Sequence, residues 1–300
     1  MNRDGLGRAT GDRAHRRATT PRWIWVPTAI AVLALAGPIL ALGAAARPDT
    51  LIAAVTSPEA SAAVGLSLTT AVSATVLCVL LGVPLALAVH RAHGALRAAL
   101  QLVLIVPLVL SPVVSGLALL YFWGRQGLAG EALDALGLGV AYTPAAVVLV
   151  QVFVALPFVT VAALSSLEAV DPDLELAGAN AGAGPTQILR HITLPLAAPG
   201  IAAGTLLAFA RALGEYGATV TFAGSVAGQT RTIPLQIELA FNSADPEAAV
   251  GIALMLIAFY LLVLAAVALL FVLPGRADGP VREPGAGRAA PGIQRGGVRL

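Results

Sequence analysis

Apolar residues fall into six long runs separated by polar or charged stretches: Trp23 to Ala46, Leu66 to Val89, Ala98 to Gly124, Pro144 to Leu167, Ala197 to Leu213 and Ala248 to Pro274. Each is close to the roughly 20 residues that carry an α-helix across the hydrocarbon core of a bilayer, so the pattern predicts about six transmembrane helices. Outside the runs, residues 1–22 and 275–300 mix glycine, proline and arginine without apolar periodicity and are expected to be disordered. No convincing internal repeat accompanies the runs.

Composition supports this pattern. Of the 300 residues, 58% are hydrophobic and 11% charged, whereas a soluble domain carries about 25% charged residues. The expected fold class is therefore an all-α integral membrane protein. The net charge is +2, and every basic residue is an arginine. Without lysine the chain can form neither a P-loop nor a Schiff base, so it carries no ATPase motif and is not expected to be an enzyme by itself. The single cysteine, Cys78, lies in an apolar run, which excludes an intramolecular disulfide and a cysteine metal cluster.

The arginines instead define a topology. Arg3, Arg8, Arg13, Arg16, Arg17 and Arg22 precede the first run, Arg91 and Arg97 follow the second, Arg190 follows the fourth, and five more lie in the C-terminal tail. The alternate connections hold only Arg47, Arg125 and Arg231. By the positive-inside rule both termini and the connection after the fourth run are cytoplasmic, and the protein is a multi-pass protein of the cell membrane. This distribution indicates the lipid bilayer, not nucleic acid, as the partner of the charge. The first run, followed by Ala44-Ala45-Ala46, also has the outline of a signal peptide. Its length of about 24 residues exceeds the 7 to 15 of a signal core, so a retained helix is expected; cleavage would leave five spans with the others oriented as before.

The cytoplasmic connection Asp171 to Pro195, DPDLELAGANAGAGPTQILRHITLP, is the most informative segment. Asp171 suits an N-cap, Pro172 the first helical position and Asp173 the positive end of the helix dipole, so a short helix should begin there. Gly182 can end it in a left-handed conformation. Pro185 opens a second helix with Ile188, Leu189 and Ile192 on one face, which Pro195 is expected to end before the next span. Small residues at Ala177, Gly178, Ala179 and Ala181 would let another surface approach closely. On the residues alone, this unit fits an amphipathic hairpin lying on the membrane as well as a docking projection.

The spacing of Ala177, Gly182 and Ile192-Thr193-Leu194-Pro195 resembles the EAA loop of ABC-importer permeases, with nine residues between the glycine and Ile192. Leu176 stands where that family usually has glutamate, with Glu175 one residue earlier, and Gly178 replaces the second alanine. In that family the loop is the coupling helix that sits in a cleft of a separate ATPase. The resemblance makes Glu175, Ala177, Gly182, Ala183, Gly184, Ile188, Ile192, Leu194 and Pro195 the expected ATPase-coupling residues.

Past the fifth run, Phe209 to Thr219 reads FARALGEYGAT, followed by Thr221-Phe222 and then Gln229-Thr230-Arg231-Thr232-Ile233-Pro234. Arg211 and Glu215 are four apart and can pair on one helix face. Two partnered charges near a span end fit either a structural ion pair or a polar vestibule. Together with Pro107 to Val114 and the turn Gly124-Arg125-Gln126-Gly127, these strings resemble the permease subunit of molybdate and tungstate ABC importers, and less closely the sulfate permeases. The resemblance covers roughly Leu66 to Pro274 and leaves out the run 23–46.

It implies a type I ABC-importer permease architecture, with a transmembrane domain of five helices over 66–274, the coupling loop 171–195 and an extra N-terminal helix. It also implies a homodimer of permease chains, two cytoplasmic ABC ATPase subunits that bind ATP and Mg, and an extracytoplasmic oxyanion-binding protein. No cofactor is expected on this chain. A tetrahedral dianion crossing such a path needs hydroxyl and N–H donors that let it go again. Ser111, Pro112, Ser115, Arg211, Glu215, Thr219 and Thr221 are the pathway or gate candidates. A sulfate or thiosulfate permease is the alternative, and an ion-coupled secondary transporter a remote one, since only Arg211 and Glu215 come near to paired intramembrane charges. His90 and His93 have no third ligand nearby and are expected at the surface, not at a metal. Glu168 is expected as a helix-end carboxylate in water.

Overall fold

The computed structural model of the chain describes residues 21–272, and every regular element among them is helical. After a 3-10 turn at Arg22–Ile24 come α1 (Trp25–Ala44), α2 (Pro48–Thr56), α3 (Pro58–Arg91), α4 (Gly94–Val109), α5 (Pro112–Trp123), α6 (Gly130–Ala135) and α7 (Pro144–Glu168). The second half holds α8 (Pro172–Asn180), α9 (Pro185–Ile188), a π-turn at Leu189–Thr193, α10 (Leu194–Leu213), α11 (Gly217–Phe222), α12 (Ile233–Asn242) and α13 (Pro246–Val272). Most of these helices begin on proline, whose fixed φ suits the first helical position and whose missing N–H would find no partner there anyway. The two tails expected to be disordered, and the end of the sixth run at Pro274, lie outside the described residues.

Five segments are long and apolar enough to cross a membrane: Arg22–Ala44, Pro58–Arg91, Pro144–Glu168, Pro185–Leu213 and Pro246–Leu269. The third expected span, Ala98 to Gly124, is broken in two and makes six spans if the pair counts as one crossing. It consists of α4 and α5, bent by 116°. The interruption itself is local: Leu110 and Ser111 are extended, Pro112 cannot continue a helix begun upstream, and the Ser111 hydroxyl oxygen caps α5 by accepting from Val114 N at 3.4 Å. The second span also begins earlier than expected, at Pro58, where the side chain of Ser57 accepts from Ala60 N.

A bundle of α3, α7, α10 and α13 forms the core. Ala71, Ala74 and Cys78 of α3 meet Ala155 and Val159 of α7, Ala208 and Ala212 of α10 and Ile252 of α13. Small residues bring the backbones close, which is how helices pack when lipid supplies no hydrophobic drive between them. The approach is tightest between α7 and α10, where a Cβ on Gly204 would lie 2.5 Å from Ala162 Cβ and one on Gly200 would overlap the Ser166 hydroxyl. Gly204→Leu is therefore expected to cost about 1–3 kcal/mol by overpacking. Gly65→Leu, at a site where a Cβ meets nothing within 4 Å, should cost little. Thermal loss of the monodisperse detergent-solubilised protein measures both, and equal midpoints would contradict this packing.

A second cluster, with Val89 of α3, Leu104 of α4, Leu167 of α7 and Ala197 of α10, closes one end of the bundle. There Arg97 and Glu168 pair at 2.5 Å, both partly exposed, so the beginning of α4 and the end of α7 share a face of the molecule. Glu168 thus stands at the helix end as expected, but in an ion pair with Arg97. Cys78 is buried in the core cluster. Apolar along its length, α1 buries none of its residues against the other described residues, and the pair Arg47–Glu247 at 3.0 Å joins the start of α2 to α13.

Candidate functional site

Residues 171–195 form a compact hairpin at the end of the bundle where α7 finishes. Asp171 caps α8, its Oδ1 accepting from Asp173 N at 2.9 Å, and Pro172 occupies the first position. Beyond Asn180 the chain turns back: Ala183 N donates to Gly178 O at 3.0 Å and Gly182 takes φ +87°, the left-handed conformation expected of it. Gly184 N donates to Gln187 Oε1 at 2.9 Å and so opens α9.

The expected break at Pro195 is corrected. The helix begun at Pro185 continues through the π-turn into α10, and Leu194 keeps helical torsions in front of the proline. A proline removes one N–H and crowds the carbonyl four residues back. The widened π-turn directly before it gives the ring room, as a π-bulge does.

Two contacts make the hairpin a single body. Gly178 faces inward, where an added Cβ would sit 2.8 Å from Ile192 Cδ1 and 3.5 Å from Ile188 Cγ1. It therefore does not join the outward small-residue surface expected of it, which falls to Ala177, Ala179 and Ala181, all exposed. The buried Thr193 hydroxyl donates to Glu175 Oε1 at 2.5 Å, tying α8 to the π-turn. Glu175 thus turns inward while Leu176 is exposed. Gly182 and Pro195 are exposed, while Ala183, Gly184, Ile188, Ile192 and Leu194 are half-buried. A shallow cavity of about 430 Å³ opens between the Ala181–Ala183 turn and the face of Ile188 and Ile192. Gln187 and His191 also line it, so the concavity is part apolar and part polar.

At the other end of α10, Arg211 Nη1 pairs with Glu215 Oε2 at 2.7 Å. Glu215 is 2% exposed and Arg211 32%. The second carboxylate oxygen accepts from Ala218 N at 2.8 Å and caps α11. One buried side chain therefore neutralises the arginine and sets the start of the next helix. Close contacts hold α11 on α5: a Cβ on Gly116 would meet Thr221 Cβ at 2.6 Å, and one on Gly217 would meet Pro112 Cβ at 2.6 Å.

The pathway candidates separate by environment. Ser111 and Pro112 are exposed at the bend, and Thr221 donates to Gly217 O at 2.8 Å within its own helix. Ser115 and Thr219 are fully buried with hydroxyl oxygens that have no partner among the described residues, as has Gln151 Oε1 on α7, a helix packed against α5 and α11. Arg211, Glu215, Thr219, Thr221, Ser111, Pro112 and Ser115 thus all lie on or beside the junction of α10, α11 and α5. With Arg211 already paired, the junction offers hydroxyls and no free cationic well. His90 lies in the last turn of α3 and His93 stands at the N-cap position of α4 without a side-chain cap hydrogen bond. Among the described residues no group of three or more His, Cys, Asp or Glu side chains is placed to hold a metal ion.

The contacts of Thr193, Gly178, Gly116 and Gly217 give no signal in the sequence beyond residue type, because each depends on an element folded against it.

Known proteins resemble the chain over most of its length. Residues 78–273 match the family described as binding-protein-dependent transport system inner membrane component. The molybdenum transport system permease protein ModB of Mycobacterium tuberculosis is 44% identical over 84% of this chain and 96% of its own length. A probable molybdenum ABC transporter permease protein of Haloferax volcanii is 38% identical over 73% of this chain and 79% of its own. Among solved structures, a chain of a bacterial alginate ABC transporter, in complex with an alginate pentasaccharide-bound periplasmic protein, matches with TM-score 0.67 and 19% identity. That match covers 82% of this chain and 91% of the other, and it supports the fold alone.

Proposed function

Because the chain belongs to the family of binding-protein-dependent transport system inner membrane components, we propose that it is the permease subunit of an ATP-driven importer carrying molybdate or tungstate into the cytoplasm. The observation that carries the cargo assignment is the 44% identity, over nearly the whole length of the relative, with a molybdenum permease. The complete machine is a homodimer of this chain with two cytoplasmic ATPase subunits and an extracytoplasmic oxyanion-binding protein. ATP and Mg are bound by the ATPases. Both termini and the 171–195 hairpin face the cytoplasm, as the arginine distribution indicates.

Each part of the chain has a place in this scheme. The hairpin, braced by Thr193–Glu175 and by Gly178 against Ile192, moves as one body when the ATPase below it closes. Since α9, the π-turn and α10 run on without a loop, that movement reaches the Arg211–Glu215 pair at the far end of α10. There Glu215 carries it into α11 through the cap on Ala218, and Gly217 and Gly116 carry it into the bent helix α5. The pathway alternates between outward and inward openings as the ATPases bind and hydrolyse ATP. A dianion passing the junction meets hydroxyl donors, which hold it briefly; a free arginine would bind it too tightly for release.

The test is cellular molybdenum and tungsten by mass spectrometry in a strain lacking the gene and in its complemented counterpart, with nanomolar oxyanion and millimolar sulfate outside. Loss of metal uptake restored by complementation is expected. Unchanged metal content together with lost uptake of labelled sulfate would assign the transporter to sulfate.

A further inference from the structure

Hydroxyls inside the spans have a default partner. Thr70, Thr75, Thr160, Ser166 and Thr205 each donate to the carbonyl four residues back, which satisfies the group without help from a neighbouring helix. Ser115 and Thr219 do not, although both are fully buried. The carbonyl four residues before Thr219 belongs to Glu215 and lies ahead of α11. The one before Ser115 belongs to Ser111 at the bend, where it accepts from Ser115 N instead.

Gln151 Oε1 on α7 is likewise buried without a partner among the described residues. The three groups belong to one place. Each lies one helical turn from a side chain of the cluster that joins α5, α7 and α11: Ser115 from Leu119, Gln151 from Val147 and Thr219 from Ala223. Their oxygens have effectively no accessible surface, so they are packed against protein with no room for a water. A buried polar group without a partner destabilises the arrangement that holds it. Three at one junction therefore favour a movement that uncovers them. Little opposes it: among the described residues no hydrogen bond joins α5 to α11, which meet through Gly116 and Gly217. Both helices are jointed at their starts, α5 by the extended pair Leu110 and Ser111 and α11 by Gly214 to Tyr216.

We propose that the junction of α5, α7 and α11 is shut in this structure and that its opening presents Ser115, Thr219 and Gln151 to the passing oxyanion, which makes Gln151 a cargo-contacting residue. The inference rests on the proposed function. In the open junction two hydroxyls and the amide N–H groups of Gln151 donate to the oxygens of the anion. All of these donors are neutral, as suits a cargo that has to leave again. The same groups thus weaken the shut junction and serve the cargo in the open one. A polar cluster with a structural role would have the opposite sign, since its partners would be present in the shut state. An apolar side chain of similar shape therefore tightens the junction and slows transport together.

The experiment uses the complete permease–ATPase complex, in detergent for stability and in proteoliposomes with its purified, molybdate-loaded binding protein for uptake. Thr219→Val and Gln151→Met each replace a polar group by an apolar one of similar shape. Each should raise the thermal midpoint of the complex by about 2–4 °C and lower the rate of molybdate uptake about tenfold. Thr219→Ser, which keeps the hydroxyl, should transport like wild type and gain no stability. A midpoint that stays or falls in both apolar variants would mean that the groups are satisfied in the shut state and would overturn the inference. Uptake equal to wild type in both would also overturn it while leaving the importer assignment intact. A wild-type complex that takes up neither molybdate nor tungstate would overturn the proposed function and the cargo role of Gln151 with it.

Discussion

Replacing Gly182 by aspartate is expected to leave insertion and dimerisation intact and to abolish association with the ATPase. The position takes φ +87°, and a Cβ built there meets nothing within 4 Å. The hairpin therefore has room for the side chain, and the backbone penalty is about 1–2 kcal/mol, least for Asp and Asn. Outside the chain the same residue stands at the lip of the cavity formed with Ile188 and Ile192. A carboxylate there is carried into a desolvated contact without a counter-charge. Losses at the centre of an interface run to about 2–4 kcal/mol, or some thirty- to a thousandfold in affinity. Gly182→Asn, which tolerates the same torsion without the charge, should retain part of the binding. Co-purification of the ATPase from membranes measures this. Normal recovery with Gly182→Asp would show that the hairpin docks elsewhere or not at all.

The second large effect is expected at Arg211. Changing it to methionine leaves the carboxylate of Glu215, 2% exposed, without its counter-charge. Breaking a buried ion pair from one side costs about 3–5 kcal/mol, more than replacing both partners. Arg211→Met should therefore lose stability and transport together, whereas Arg211→Met with Glu215→Gln should regain much of the stability. Glutamine keeps a side-chain oxygen for Ala218 N and so keeps the cap on α11. Thermal stability in detergent and uptake in proteoliposomes separate the two contributions. If the double variant were no more stable than the single one, the pair would not be a structural ion pair. Transport restored along with stability would make Arg211 structural; stability restored without transport would give the guanidinium a role in the pathway.

Features set by neighbours along the chain are legible in the amino-acid sequence. Asp171, Pro172 and Gly182 act within one helical turn, and their cap, start and left-handed turn stand where the spacing puts them. The apolar runs locate the membrane helices because length and hydropathy are local too. The bend at Ser111 is only half legible: Pro112 signals an interruption, but the 116° change of direction is fixed by α11 packed on α5 at Gly116 and Gly217. Pro195 misleads for a similar reason, since proline alone does not say whether a helix ends or widens. Gly178 reads as one more small residue in an outward surface, and only the return of Ile192 makes it an inward contact.

The π-turn at Leu189–Thr193 also fixes an angle. From Pro185 to Leu213 the chain runs 29 residues as one helical rod, about 43 Å at the usual rise. A π-turn accommodates one residue more than the α-helical path requires, and each residue of an α-helix advances the azimuth by about 100°. The side of α10 on which Arg211 emerges is therefore indexed, through this single turn, to the side on which Ile188 and Ile192 meet Gly178 of α8. The two ends of the rod share a rotational phase as well as a length, so the segment between them admits substitutions far more readily than insertions or deletions.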